Sequence, residues 1–334
     1  MKKKLLAVTL ASALCAGMLA GCGSSASTGS TGDSGSTASG DAYNVTVIVK
    51  HTDGHFNKVI AGARAYGSEH DNVNVEIQSP TSATSYDEQV NMIETALGNP
   101  GIDAVVIAPQ QSTSTATLVD TATKPVVALD TDFTSDKKAC FVGTGNEDAA
   151  LNGGKAVAEA CKALGKDKPT AVIIAGVQGD QTNTARMNGY KAGVEEAGGT
   201  FLSDEVQYAD ATADRATTAM EAIMQTHPEG IAIICANNDD MAMAAARAAQ
   251  GHDAYKNTIF LGFNGDRAAC EAILAGQMTM SVAQMAYEMG YKAVETMVQV
   301  LDGETVDEFV DSGSDVVTPD NAQERLDTLK TQLH

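Results

Sequence analysis

The sequence predicts an α/β protein with two doubly wound parallel-sheet lobes. From residue 43 onward, short runs that are apolar throughout alternate with longer amphipathic runs, and strands that helices cover on both faces have this pattern. The alternation starts again near residue 170, after a long helical run. Because two such series fill roughly 270 residues, two doubly wound lobes are favoured over one large sheet.

The individual elements follow from these runs in chain order. The first series predicts strands at residues 45–49, 73–77, 104–108, 125–130 and 141–143, and helices at 56–69, 86–97 and 112–121. The second series predicts helices at 146–164, 182–196, 212–225, 239–250 and 267–274, and strands at 170–175, 206–208, 231–236 and 259–263. Near the end, we expect a strand at 278–283, a helix at 287–301 and a short strand at 316–317.

The first 42 residues predict a targeting segment and a linker. Lys2, Lys3 and Lys4 precede an apolar run that ends in Leu19-Ala20-Gly21-Cys22, and this pattern predicts a secretory signal peptide at residues 1–21. Its end resembles the bacterial lipobox, which implies cleavage before Cys22, a lipid on the Cys22 thiol and anchoring to the outer face of the cell membrane. A secreted protein with a chance Cys at this position is the alternative. Residues 22–42 are rich in Gly, Ser and Thr, so they are predicted to form a flexible linker.

Charge and composition exclude several functional classes. The formal net charge of -21 repels phosphates, so a nucleic-acid partner is not expected. Aromatic residues make up 4% of the chain and Trp is absent, which argues against broad stacking platforms. The six Cys residues include no CxxC pair, so neither a disulfide scaffold nor a zinc site is expected. One disulfide among Cys140, Cys161, Cys235 and Cys270 remains an alternative to four small core residues.

Three local patterns resemble catalytic, cofactor or metal motifs but do not fulfil them. Gly32-Asp33-Ser34-Gly35 lies in the linker, and no His and Asp elsewhere complete a serine-protease triad. Gly143-Thr144-Gly145 lacks the third Gly of a dinucleotide motif, because Asp148 stands at that position. His51, Asp53 and His55 share a loop without further His or Cys nearby, so polar contact is favoured over a metal site. We therefore expect no enzyme activity, cofactor or metal.

Polar residues follow almost every predicted strand. They lie at 50–56, 109–111, 130–132, 176–186, 208–210, 237–240, 264–266 and 284. In open α/β sheets, ligands bind beyond the carboxyl ends of the strands. Carboxylates accept hydroxyl protons, and Arg and amide groups bridge neighbouring hydroxyl oxygens. The pattern therefore predicts a cleft that binds a small, neutral polyhydroxyl compound.

Five short segments carry a family pattern in order and spacing. They are Val127-Ala128-Leu129-Asp130, Ala185-Arg186-Met187-Asn188-Gly189, Ala236-Asn237-Asn238-Asp239-Asp240-Met241-Ala242, Leu261-Gly262-Phe263-Asn264-Gly265 and Val282-Ala283-Gln284. Together they resemble the sugar-binding proteins of bacterial ABC importers, which have the type I periplasmic-binding fold, and most closely the ribose-binding group. The resemblance covers roughly residues 43–320 and implies two lobes joined by a three-strand hinge.

The resemblance also implies lobe boundaries and ligand contacts. The amino-terminal lobe would comprise 43–145 plus 285–313 and the carboxy-terminal lobe 146–284 plus 314–334, with hinge crossings near 143–146, 284 and 313. The implied ligand contacts are His55, Phe56, Asp130, Arg186, Asn238, Asn264 and Gln284. Alternative roles are a helix cap or turn for Asp130, an ion pair with Glu221 or another surface acid for Arg186, a helix cap for Asn238, and hinge hydrogen bonds for Asn264 and Gln284.

This sequence departs from the family pattern at four places. Thr131 stands where the family has Arg, Asn264 where it has Asp, and His55 where it has Phe, and no aromatic residue lies near Ala213. The site therefore has fewer flat stacking faces and fewer charged donors than the family pattern. A polyol, a ketose or a furanosyl signal molecule is expected as the ligand rather than ribose.

The resemblance implies a monomeric receptor that delivers its ligand to the permease of an ABC importer. A sensor with the same lobes, signalling to a chemoreceptor or histidine kinase, is the main alternative. A transcription regulator of the lactose-repressor type shares these lobes, but the predicted signal peptide and the negative charge argue against it.

Overall fold

A computed structural model describes residues 42–333 of the chain. The predicted signal peptide, Cys22 and almost all of the predicted linker lie outside these described residues. Within them, thirteen strands and ten α-helices alternate along the chain, and all of them except the strands Thr200–Phe201 and Phe309–Asp311 and the helix Ala322–Gln332 match an element that the sequence predicts. None of these helices is both long enough and apolar enough to cross a membrane.

The elements of the first series, with two late additions, build one lobe. Its strands are β1 (Tyr43–Ile48), β2 (Val73–Gln78), β3 (Ala104–Ile107), β4 (Val126–Leu129), β5 (Lys138–Gly143) and β12 (Phe309–Asp311). Its helices are α1 (Gly54–Glu69), α2 (Tyr86–Gly98), α3 (Ser112–Val119) and α9 (Ala286–Leu301). The strands form one parallel sheet in the order β12-β5-β4-β3-β1-β2. We call this sheet with its helices the first lobe.

The remaining elements build the second lobe. Its strands are β6 (Thr170–Ala175), β7 (Thr200–Phe201), β8 (Gln207–Tyr208), β9 (Ile233–Ala236), β10 (Ile259–Asn264), β11 (Met280–Gln284) and β13 (Ser314–Val317). Its helices are α4 (Asn146–Ala163), α5 (Gln181–Glu196), α6 (Ala213–Thr226), α7 (Asp239–Ala249), α8 (Arg267–Leu274) and α10 (Ala322–Gln332). The sheet order is β13-β11-β10-β9-β6-β7, β8 also pairs with β6, and β13 runs antiparallel to β11.

Each sheet is buried on both faces. In the first lobe, one core cluster joins the sheet to α1 and α9, and a second lies on the face with α2 and α3. In the second lobe, one cluster lies beneath α4 and α5 and the other beneath α6, α7 and α8. Because the central strands β3, β4 and β9 are apolar throughout rather than alternating, this double coverage is what their composition requires.

Glycines allow the closest helix crossing of the first lobe. A Cβ atom at Gly62 of α1 would lie 1.8 Å from the carbonyl oxygen of Tyr287, and one at Gly290 of α9 would lie 1.9 Å from that of Val59. No side chain fits at such distances, so the two backbones meet only because both positions are Gly. This contact fixes α1, whose first turn faces the second lobe.

Three segments connect the two sheets, at residues 144–145, 285 and 312–313. Hydrogen bonds tie these segments to one another. The amide of Ser312 donates to the carbonyl oxygen of Gly143 at 2.7 Å, and that of Met285 donates to Gly313 at 3.3 Å. The hinge is therefore a bonded group of three crossings rather than three independent linkers.

Candidate functional site

The candidate site lies between the lobes, at the carboxyl ends of both sheets. In the first sheet the strand order reverses between β1 and β3, and in the second between β6 and β9. Loops that leave such neighbouring strands in opposite directions open a crevice at the sheet edge. Lys50 follows β1, Asp130 follows β4, Asn237 follows β9, and Arg186 lies on the helix after β6.

Asp130 is the central acidic group on the first-lobe side. Its Oδ1 lies 2.7 Å from Nε2 of His55, and its Oδ2 accepts a hydrogen bond from Oγ1 of Thr131 at 3.0 Å. His55 and Phe56 are buried in the first turn of α1, which Asp53 caps by accepting from the amide of Phe56 at 2.6 Å. The cap therefore fixes the helix end that brings His55 to Asp130.

Positive charge keeps Asp130 ionised. Burial opposes ionisation, but the charge and hydrogen bond of His55, followed by the charges of Lys50 and Arg186, outweigh it and hold the pKa of this carboxyl well below its usual range. Nζ of Lys50 lies 3.8 Å from Oδ2 of Asp130. One carboxylate therefore faces cations from both lobes.

Arg186 is the central basic group on the second-lobe side. Its side chain is buried, its Nε donates to Oδ1 of Asn146 at 2.8 Å and its Nη1 donates to the carbonyl oxygen of Asn237 at 2.7 Å. Its guanidinium also lies 3.7 Å from the ring centroid of Phe263. Burial lowers the pKa of Arg186, whereas the charge of Asp130 opposes this. The neutral acceptors and the aromatic face hold the guanidinium in one orientation.

Asn183 and Asn237 support Arg186 from behind. Oδ1 of Asn183 accepts from the amide of Gly176 at 2.6 Å and also from Nδ2 of Asn237. Oδ1 of Asn237 is buried without a hydrogen-bond partner among the described residues, and so is Nδ1 of His55. Buried polar atoms of this kind normally have partners, so both are candidates for contact with ligand hydroxyls.

Asn264 and Gln284 lie at the hinge side. Nε2 of Gln284 donates to Oδ1 of Asn264 at 2.8 Å, and Oγ1 of Thr144 donates to Oε1 of Gln284 at 2.9 Å. The expected hinge hydrogen bonds are thus present, and ligand contact by Asn264 and Gln284 stays a prediction.

Strained backbone marks both lobes of the site. Among the described residues, four that are not Gly have positive φ, and two of these are Asp130 at 63° and Asn264 at 131°. Such conformations cost free energy and collect at functional sites. Asp130 directly follows β4 and Asn264 is the last residue of β10, so the positive φ changes the direction that each side chain would have in a continuing strand.

Asn238 acts as a helix cap. Its Oδ1 accepts from the amide of Met241 at 2.8 Å, and its Nδ2 donates to the carbonyl oxygen of Ala211 at 3.1 Å. The alternative role expected from the sequence is therefore present. Its contact with a ligand, like that of His55, Phe56, Asp130 and Arg186, stays a prediction.

An ion pair connects the lobes beside the site. Nζ of Lys58 on α1 lies 2.5 Å from Oδ1 of Asp266, which precedes α8. Asp239 is buried behind this pair, and its carboxylate accepts from Oγ of Ser281 at 2.5 Å and from the amide of Asp266 at 2.9 Å. Burial, together with the charge of Asp266, raises the pKa of Asp239 to about 7. We call Lys58, Asp266 and Asp239 the interlobe cluster.

The described residues contain no group of three or more His, Cys, Asp or Glu side chains placed to hold a metal ion. His51 instead lies 3.0 Å from Asp53. Cys140, Cys161, Cys235 and Cys270 are all free and buried, which matches the core role expected for them rather than a disulfide.

Comparison with known proteins identifies the family. The model of the periplasmic binding protein domain matches residues 45–305. The chain belongs to the periplasmic binding protein family. Proteins of this family are substrate-binding receptors of transporters and not enzymes. The two parallel-sheet lobes with their hinge confirm the fold class predicted from the sequence.

Relatives of this periplasmic binding protein include sugar receptors. The ribose import binding protein of Bacillus subtilis is 28% identical over 214 residues, covering 63% of this chain and 67% of that protein. The D-allose-binding periplasmic protein of Escherichia coli is 29% identical over 236 residues, covering 68% and 74%. A solute binding protein from Agrobacterium radiobacter in complex with D-arabinose has a TM-score of 0.76 and 25% identity, covering 88% and 99%.

Several residues of the site are not among the contacts predicted from the sequence. Lys50 and Asn237 directly follow strands, so the strand-end pattern contains them, but the family motifs do not single them out. Asn146 and Asn183 bind Arg186 and Asn237 through side chains on two different helices, and no local pattern signals such contacts. Lys58 carries no sequence signal, because its partner lies 208 residues away.

Proposed function

We propose that this protein is an extracytoplasmic solute receptor that binds a monosaccharide or related polyhydroxyl compound between its lobes and delivers it to the permease of an ABC importer. The observation that carries the proposal is the buried polar cluster of Asp130, His55, Arg186 and Asn237 where two lobes of this family meet. The ribose- and allose-binding relatives support the ligand class.

The geometry supplies complementary groups for such a ligand. Asp130 offers remaining carboxylate lone pairs to hydroxyl protons from the first lobe, while Arg186 offers a planar donor from the second. We infer that the lobes formed by 43–145 plus 285–313 and by 146–284 plus 314–334 close over the solute. A polar ligand that pairs the buried atoms of His55 and Asn237 would stabilise the closed form, since an unpaired buried group costs free energy.

A thermal melt against pentoses, hexoses, ketoses, polyols and sugar acids tests the proposal. A ligand at 1,000 times its dissociation constant stabilises the folded protein by about 4 kcal/mol, which raises the melting temperature of a chain this size by roughly 8–16 °C. The protein is first unfolded, dialysed and refolded to remove any carried ligand. A panel in which no compound shifts the melting temperature contradicts the proposed function.

We further propose that a lipid on Cys22 holds a monomeric receptor at the outer face of the cell membrane. The Lys-rich start, the apolar run and the Leu19-Ala20-Gly21-Cys22 ending support this. Expressed in bacteria that are fed a labelled fatty acid, the native chain should fractionate with membranes and incorporate the label, and Cys22→Ser should incorporate none, because the thiol that carries the lipid is lost. A native chain without label would contradict the lipid anchor.

A further inference from the structure

The side chain of Arg325, on the last helix α10, connects the ends of two strands of the second lobe. Its Nη2 donates to the carbonyl oxygen of Gln284, the last residue of β11, at 2.7 Å, and its Nε donates to that of Gly265, directly after β10, at 3.3 Å. Its Nη1 lies 3.2 Å from Sδ of Met285. A planar guanidinium donates in fixed directions, so one side chain of α10 holds these two strand ends at one separation.

These strand ends carry two of the ligand contacts that the sequence predicts. Nε2 of Gln284 donates to Oδ1 of Asn264 at 2.8 Å, so the two amide side chains form one unit across β10 and β11. Asn264 has a φ of 131°, and such a conformation persists only where surrounding contacts hold it. The hydrogen bond from Arg325 to the carbonyl oxygen of Gly265, the next residue, is one of these contacts.

The same guanidinium lies beside the hinge. Met285 is one of the three crossings between the sheets, and its amide donates to the carbonyl oxygen of Gly313, in another crossing, at 3.3 Å. Helix α10 packs mainly against α8 of the second lobe and also contacts α1 of the first. Arg325 is therefore placed where the predicted ligand contacts of the second lobe meet the hinge.

The packing of α10 does not depend on this guanidinium. Ala322, Leu326 and Leu329 are the buried residues of the helix, and the first two belong to the apolar cluster beneath α6, α7 and α8. Arg325 instead directs its three nitrogen atoms to neutral backbone and thioether groups. An apolar side chain at position 325 should therefore leave α10 in place and remove only the contacts with the strand ends.

We propose that Arg325 is a positioning residue for the solute: from α10 it holds the ends of β10 and β11 so that Asn264 and Gln284 present their amide groups to the cleft in one fixed arrangement. The inference rests on the proposed function and adds to it a residue that does not itself touch the solute. A prearranged pair of amides binds more tightly, because less conformational freedom is lost on binding. Residues 306–334, which include α10, lie beyond the residues 45–305 that the family model matches.

Titration calorimetry with the best ligand of the thermal-melt panel measures the effect. Arg325→Met should weaken binding about tenfold, because two carbonyl oxygens lose their charged donor and the amide pair is no longer held. Arg325→Lys should weaken it only about threefold, since an ammonium group can reach one carbonyl oxygen but lacks the planar fork for both. Lys330→Met is the matched control, because Lys330 is exposed on the same helix and pairs with Asp327, and it should leave the dissociation constant unchanged.

A double-mutant cycle with Gln284→Met tests whether Arg325 acts through Gln284. In the Gln284→Met background, Arg325→Met should weaken binding less than about threefold instead of about tenfold, because the amide pair that it positions is already lost. Melting temperatures of the ligand-free variants report on folding separately. A purely structural role would lower the melting temperature without changing the dissociation constant of the folded protein.

Three results overturn the assignment while the proposed receptor function stands. One is a folded Arg325→Met protein that binds as tightly as the unchanged chain. If Arg325→Met does not fold, Arg325→Lys decides, and unchanged binding by that variant is the second. The third is an equal loss of affinity in both backgrounds, which shows that Arg325 does not act through Gln284. A panel in which nothing binds the unchanged chain contradicts the receptor function, and this inference with it.

Discussion

Arg186→Met should weaken binding of the solute about 100-fold, whether that solute is neutral or acidic. The guanidinium donates to Asn146 and Asn237 and lies against Phe263, so it is held in one orientation before the ligand arrives. Its loss removes a charged donor and leaves the Asn146 side chain and the Asn237 carbonyl oxygen without their partner. Losing a hydrogen bond to a charged group costs about 1.5–3 kcal/mol, and an unsatisfied buried acceptor adds to this.

Titration calorimetry with the best ligand of the panel measures the effect. Arg186→Lys should recover only part of the affinity, because an ammonium group cannot donate from the fixed planar positions of a guanidinium. Arg215→Met is the matched control, since Arg215 is exposed and pairs with Asp210 at the surface, and it should change the dissociation constant less than twofold. An Arg186→Met protein that binds within threefold of the unchanged chain would exclude Arg186 as a contact.

The fold was predictable from the sequence because burial on both faces leaves a simple pattern. The central strands β3, β4 and β9 are fully apolar, β6 is apolar except for Thr170, and all four were located within one or two residues. Edge elements lack this signal. The prediction missed β12, whose three residues include no fully buried side chain, and α10, in which only Ala322, Leu326 and Leu329 are buried. It also missed the two-residue β7.

The candidate site was predictable to the extent that it follows strand ends. Asp130 and Asn264 come at the ends of β4 and β10, and the structure places both at the cleft with positive φ. Contacts between helices have no comparable signal. Asn146 binds Arg186 across 40 positions of sequence, so only folding reveals that Arg186 has neutral partners.

Charge explains how binding and closure are linked in this receptor. The first lobe contributes Asp130, His55 and Lys50, and the second contributes Arg186, so a solute that contacts both sets pulls the lobes together. A receptor must also close without its lobes repelling each other across a chain of net charge -21. Lys58 reduces this repulsion at one place, because its ammonium group lies against Asp266 of the other lobe, beside the second carboxylate of Asp239.

Lys58→Met should therefore weaken solute binding by about 2 kcal/mol, or roughly 30-fold, without altering any ligand contact. Only 2% of Lys58 is exposed, so the closed form holds its charge away from water and relies on Asp266. Methionine keeps the length of the side chain but leaves Asp266 and Asp239 facing each other without a cation. Because the charge of Lys58 lowers the pKa of Asp239, its removal also favours the protonated form of that carboxyl.

A double-mutant cycle separates the ion pair from packing. Asp266→Asn alone should weaken binding less than Lys58→Met, and the double variant Lys58→Met with Asp266→Asn should bind tighter than Lys58→Met alone, since no carboxylate at position 266 is then left unpaired. Melting temperatures of the ligand-free variants show whether each still folds. If the two single effects simply add, the pair does not stabilise the closed form, and closure depends on the solute and the hinge alone.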